Sequence, residues 1–165
     1  MFFVRSASDK DMAAVSALLG ETWHATYDAL YGAERVAAIT ADWHAPAALK
    51  RQLARPDGEF LVADDGLRIG GMAFAAPVKG DSDTVQLHQL YVHPDFQRMG
   101  VGRDLFAELE TCFPDAKRMR AEVEPKNIVA IAFYEAHGFT PVGRTNNCGA
   151  EESAIPALIY EKALG

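Results

Sequence analysis

The 165-residue sequence sets 16 Lys and Arg against 23 Asp and Glu, a formal net charge of -7, which argues against a general nucleic-acid binder. Its 49% hydrophobic and 24% charged shares are those of an ordinary globular chain, long enough for one domain over residues 1–165 without a disulfide or structural-metal framework. Cys112 and Cys148 are far apart and have no ligand-like spacing, which predicts a reduced, cytoplasmic protein without a metal site. The opening "MFFVRSASDKDM" meets acidic residues too early for a signal peptide, and no apolar run approaches the roughly 20 residues that span a bilayer. No membrane partner is expected.

"FFVRSAS" reads as a first strand, and Ser8 or Asp9 as the cap of a helix whose buried stripe is Met12, Val15, Leu18 and Leu19. Helix-forming sequence continues to about residue 57, interrupted near Gly32 and Pro46 and rich in Trp, Tyr and His. The period then changes. Phe60–Ala63 and Ile69–Ala75 read as strands joined by the turn "DDG", and "TVQLHQLYVHP" as a third strand closed by Pro94. "VGRDLFAELETCF" is helical, with Val101, Leu105, Leu109 and Cys112 on one side. "RMRAEVEP" is a strand, "NIVAIAFYEAHGF" a helix ending at Gly138, and "TPVGR" and "ALIYEKAL" are closing strands. This order predicts an α/β fold with an antiparallel meander in the middle and alternating strands and helices after it.

Gly100 and Gly102 sit where a helix begins. Either they supply a turn with positive φ and close packing, or they bare the backbone for a phosphate. The first turn of a helix carries amide N–H groups without internal partners at its electropositive end, and side chains removed there let a diphosphate approach. The pattern lacks the third glycine of a dinucleotide fingerprint and the Gly-Lys-Ser/Thr of a P-loop. Arg98 and Arg103 add cations, and Met99 reads as a packing residue.

"LHQLYVHPDFQRMGVGRDLF" closely resembles the signature of the GNAT superfamily, the acyl-CoA-dependent N-acyltransferases. Its Q/R-x-x-G-x-G/A loop is matched by Gln97, Arg98, Met99, Gly100, Val101 and Gly102. A second signature, an Asn followed by a helix with "FYE" and closing on "GF", is matched from Asn127 to Phe139 about thirty residues on. The resemblance implies a single GNAT-fold domain: a mixed central sheet with a splayed strand pair, flanked by helices. It further implies acetyl-CoA as acyl donor, its pantetheine pairing with main-chain groups of Leu90, Tyr91 and Val92. The diphosphate would rest on amides from Arg98 to Arg103, with Gln97 entering the loop and Asn127 approaching the pantetheine.

Acylating an amine from a thioester poses two proton problems. A lysine-like ammonium, of pKa roughly 10, must lose a proton before attack, and the departing thiolate needs an acid. The resemblance gives the acid's place to Tyr134; a helix tyrosine packed on the sheet is the plainer reading. Many superfamily members carry a Glu base where this chain has Gln86. His88, on the same side of the strand by period two, faces the same region and could relay the proton, although a strand His more often has a structural role. His93 has no assigned task, His137 suits a helix end, and Cys148 is an ordinary thiol.

Glu21, Trp23, His24 and Tyr27 occupy the segment that shapes the acceptor pocket in such proteins and could wall an amine by carboxylate or cation–π contact. The alternative is that Trp23, Tyr27 and Tyr31, at i, i+4 and i+8, form a buried helix face. The expected activity is acetyl transfer to a primary amine, of a small molecule or a peptide, in a ternary complex. A non-catalytic acyl-CoA sensor is the alternative that Gln86 keeps open. Homodimerisation is a further expectation of the resemblance.

Overall fold

The computed structural model describes residues 1–148 and 155–164. In chain order its elements are β1 (Phe3–Ser6), α1 (Met12–Tyr31), α2 (Ala33–Trp43), α3 (Pro46–Leu53), β2 (Glu59–Asp64), β3 (Ile69–Val78), β4 (Asp81–Val92), α4 (Val101–Thr111), β5 (Arg118–Val123), α5 (Ile128–Ala136), β6 (Thr140–Thr145) and β7 (Ala157–Ala163). Short 3-10 turns occupy Asp9–Asp11 and Pro94–Phe96. The strands follow the order β1-β2-β3-β4-β5-β7-β6. β4 and β5 run parallel, while β1/β2, β5/β7 and β6/β7 are antiparallel, so the sheet is mixed as expected. The chain divides into two compact units, Met1–Phe74 with Gln89–Cys112 and Ala75–His88 with Phe113–Gly165. Strands β3 and β4 are continuous through both.

In the first unit the predicted stripe of α1 is the buried one: Met12, Val15 and Leu19 are fully buried and Leu18 nearly so. Gly32, at φ 85, ends α1 and starts α2, and Pro46 opens α3 from its first turn, where its missing N–H costs nothing. Phe60, Leu61, Val62 and Ala63 of β2 are all buried, as in a strand covered on both faces. The "DDG" turn forms with Gly66 at φ 92, and Asp65 Oδ1 accepts the N–H groups of Leu67 and Arg68 at 2.8 and 2.6 Å. A Cβ at Gly71 would stand 3.0 Å from Val101 Cγ1 and 3.1 Å from Leu105 Cδ1, so bare backbone in β3 sets how closely α4 lies on it.

The start of α1 is held by charge. Asp11 takes both Arg5 Nη1 and Nη2 at 2.8 Å, and its Oδ2 also accepts the Ser8 N–H at 2.8 Å. The Arg5 hydrogen bonds outweigh the cost of burial and hold the Asp11 carboxyl below its ordinary range.

A cluster of Trp23, Tyr27 and Val36, edged by Tyr31, Ile39, Trp43 and Tyr91, fills the space beside α1 and α2. His44 lies against the Trp23 ring, centroids 5.3 Å apart, and is 3% exposed. Its Nδ1 has no hydrogen-bond partner among the described residues.

The second unit is built on β5. Met119, Ala121 and Val123 alternate inward, while Arg118, Arg120 and Glu122 take the other face. Arg118 donates to Thr84 Oγ1 at 2.9 Å and Arg120 to Glu161 Oε2 at 2.9 Å, so paired side chains run across that face. Helix α5 ends at Gly138, φ 90, where the predicted helix-end role of His137 is a 2.8 Å contact from Nδ1 to Phe133 O. Strand β6 ends the strand order, has Thr140 to Arg144 exposed, and meets β7 with a register shift between Pro141 and Gly143.

Burial pushes the His44 imidazole down from 6.5 to about 4. An unfolded histidine takes up its proton near pH 6.5, so this site's contribution to stability is full above that pH and is lost as pH falls toward about 4. Urea titrations should show His44→Leu losing less stability than wild type over that acid window, by up to about 3 kcal/mol. Parallel pH curves for the two proteins would rule His44 out as the source.

Candidate active site

The loop after β4 is pinned at its entry. The His93 N–H donates to Gly70 O at 2.8 Å, the Phe96 N–H to His93 O at 2.9 Å, and Gln97 Nε2 to Val92 O at 3.1 Å. Gly100 then caps α4 in the left-handed region, φ 82, and Arg98 adopts φ 64, unusual for a residue with a side chain. The Asp104 N–H donates to Gly100 O at 3.0 Å. The amides of Val101, Gly102 and Arg103 therefore precede the helix's own hydrogen-bond ladder, at its electropositive end. Gly102 lies inside α4 and is not a positive-φ residue, so its missing side chain clears the first turn and does not shape the loop. The Arg103 guanidinium folds back until Nη2 lies 2.7 Å from the place of a Gly100 Cβ. Met99, expected to pack, is instead 62% exposed.

The end of β4 alternates its main-chain groups. Tyr91 O comes within 3.1 Å of a Cβ placed on Gly71, and the His93 N–H bonds Gly70 O, so both residues turn toward β3. By strand alternation the N–H and C=O of Leu90 and Val92 turn the other way. Of the three residues expected to pair with a pantetheine, Leu90 is turned away from β3 by this alternation, Val92 O accepts Gln97 Nε2, and the Tyr91 ring lies 6.4 Å from Trp23.

Within the second unit, the parallel β4–β5 ladder registers Thr84 with Arg118 through Leu87 with Ala121. One step beyond the last pair stand His88, exposed, and Glu122, half-buried. Sequence reasoning passed over Glu122; the alternation of "RMRAEVEP" put Arg118, Arg120 and Glu122 on one face, but only the parallel register shows that Glu122 and His88 both follow the last pair, Leu87 with Ala121. The Cys148 thiol hydrogen-bonds the Glu122 carboxylate, and burial, followed by that carboxylate, pushes the thiol up to about 12. A raised thiol suits the reading of Cys148 as an ordinary thiol. Tyr134 is 7% exposed, edge-on to Phe139 at 5.1 Å and to Phe133 at 5.7 Å. Asn127 caps α5, its Oδ1 accepting the Ala130 N–H at 3.1 Å.

The four acceptor-side candidates divide. Trp23 and Tyr27, 5% and 6% exposed, belong to the core cluster, which bears out the buried-face reading for both. His24 Nδ1 contacts Asp28 Oδ1 at 2.7 Å, one turn along α1. Glu21 Oε2 meets His93 Nε2 at 2.6 Å. A task for His93 was not legible in the sequence, because its partner lies 72 residues away.

The match to the model of the acetyltransferase (GNAT) family covers residues 18–139, and the chain belongs to that family. It is 32% identical over 99 residues to the N-alpha-acetyltransferase RimI of Mycobacterium tuberculosis, covering 59% of this chain and 62% of that protein. It is 36% identical over 107 residues to the [ribosomal protein bS18]-alanine N-acetyltransferase of Salmonella typhimurium, covering 59% of this chain and 68% of that one. The chain thus spans about two thirds of the length of these relatives. In fold it is similar to the PaiA N-acetyltransferase of Thermoplasma acidophilum, solved in complex with coenzyme A, at 21% identity and a TM-score of 0.86 over 99% of both chains.

Alanine at Gly100 must adopt a left-handed backbone, a cost of about 1 kcal/mol. Gly100→Ala should therefore lower stability by about that amount in urea and weaken coenzyme A binding by calorimetry. Unchanged binding would show that the loop does not hold the nucleotide.

Proposed function

We propose that residues 1–165 form one catalytic domain that transfers the acetyl group of acetyl-CoA to a primary amine by direct attack in a ternary complex. The observation that carries this reading is the loop from Gln97 to Arg103: a left-handed Gly100 ahead of α4, uncommitted first-turn amides, and two arginines. Family membership supports the donor. Leu90 and the Val92 N–H offer the pantetheine the main-chain groups of an added strand, and the amides from Arg98 to Arg103 receive the diphosphate. Asn127 serves the pantetheine from the start of α5 while capping that helix.

In the reaction the amine nitrogen attacks the thioester carbonyl, an N–C bond forms, and the C–S bond breaks. The proton lost by the ammonium needs an acceptor, and Gln86 cannot be one. His88, with the Glu122 carboxylate next in register, is the proton-accepting pair we assign. Tyr134 returns a proton to the departing thiolate; its burial among Phe133 and Phe139 supports a fixed hydroxyl. The thioester is already activated, so positioning and proton transfer suffice without a covalent intermediate on the protein.

The acceptor class follows the relatives' printed activities: an N-terminal amino group of a protein such as a ribosomal protein, met in the cytoplasm, is the first candidate. Gln86 is the feature that favours the second reading, an acyl-CoA sensor without turnover.

Thiol release from acetyl-CoA across a panel of small amines and peptide N-termini separates the two. Acceptor-dependent release supports the enzyme, and acetyl-CoA binding without release supports the sensor. In the enzyme, Tyr134→Phe should lower kcat about 100-fold with little change in KM for acetyl-CoA. A wild-type kcat would remove Tyr134 from the mechanism. His88→Gln should flatten the acid limb of the pH–rate profile, and an unaltered profile would assign the proton to another acceptor.

A further inference from the structure

The contact between α1 and the loop after β4 has a defined chemistry. The Asp95 N–H donates to His93 Nδ1 at 3.1 Å, so Nδ1 carries a lone pair and Nε2 carries the proton. Nε2–H then donates to Glu21 Oε2 at 2.6 Å, a charge-assisted hydrogen bond. Both ring nitrogens are engaged, and the two partners fix the ring in one tautomer. His93 is also tied through its main chain, N–H to Gly70 O at 2.8 Å and O from the Phe96 N–H at 2.9 Å. A side chain of α1 thereby fixes the residue from which the loop departs, four positions before Gln97.

We propose that Glu21 and His93 are positioning residues for the coenzyme A loop, and that the Glu21 carboxylate serves His93 and not the acceptor amine. The inference rests on the proposed acetyl-CoA reading, and it revises the part Glu21 was expected to play. Two α1 contacts, Glu21 on His93 and Trp23 on Tyr91 at 6.4 Å, flank the Val92 main chain on either side in sequence. The α1 side chain reaches the departure point of a loop that already holds Arg98 in a left-handed conformation, φ 64. Without Glu21 the imidazole keeps its Asp95 contacts and the Phe96 ring at 5.6 Å but loses the anchor at Nε2, and the turn it organises loosens the amides that follow. The expected defect is in donor binding and not in chemistry.

Calorimetric titration with coenzyme A, paired with steady-state kinetics on the amine that the acceptor panel identifies, tests this. Glu21→Ala should weaken coenzyme A binding about tenfold, as loss of a charged hydrogen bond would, with kcat at saturating acetyl-CoA unchanged. Glu21→Gln keeps an oxygen able to accept the Nε2–H and should bind coenzyme A nearly as wild type does. A Glu21→Ala/His93→Ala double variant should bind no more weakly than Glu21→Ala alone. Wild-type binding by Glu21→Ala overturns the proposal, and so does a Glu21→Gln defect as large as that of alanine. A raised amine KM in both single variants, with coenzyme A binding intact, returns the carboxylate to the acceptor. If wild-type protein binds no coenzyme A, the acetyl-CoA reading itself fails, an outcome separate from any of these.

Discussion

A β-strand satisfies its backbone by turning alternate residues toward its two neighbours, and β4 is registered with β5 from Thr84 to Leu87. Its twelve residues continue past that point to Val92. Tyr91 and His93 still serve β3, strand alternation turns the Leu90 main-chain groups away from it, and Val92 O is held by Gln97 Nε2. Backbone groups in such a place call for a partner. The proposed ligand is one that can behave as a strand, and a pantetheine arm with two amides meets that requirement. The groups proposed to handle the proton, His88 and Glu122, each follow the last registered pair of the β4–β5 ladder.

The loop beyond Val92 would form the proposed anion site by conformational means. Left-handed Arg98 and Gly100 turn the chain sharply into α4, so the helix begins with its amides uncovered. The conformation at Arg98 has an energetic cost, and four hydrogen bonds at the loop entry and the Glu21–His93 contact offset it. Close approach of α4 to bare backbone at Gly71 fixes the other end of the arrangement. The site depends on positions set by neighbours more than on charge, for the chain as a whole is acidic, with a net charge of -7.

Local pattern made most of the fold legible. The α1 stripe, the "DDG" turn, Pro46 at the head of α3, and Gly32 and Gly138 at helix ends all follow from rules that act over a few residues. The loop and its helix were readable for the same reason. What escaped the sequence depends on distant pairing. Glu122 was one of several acidic residues until the parallel register placed both it and His88 one residue past the pair Leu87–Ala121. His93 gains its role from a residue 72 positions away. Trp23 and Tyr27 had a helical spacing that fitted either a core or a pocket wall, and only their burial decides for the core. Met99 misled in the opposite direction: an apolar residue in a glycine loop lies 62% exposed because the left-handed turns around it face solvent.

Strand β6 ends the strand order with Pro141, which has no N–H to offer, and with a register shift before Gly143. An incoming chain laid along that edge would lose a rung at the proline and fall out of step at the bulge. Both features make β6 a poor template for strand addition.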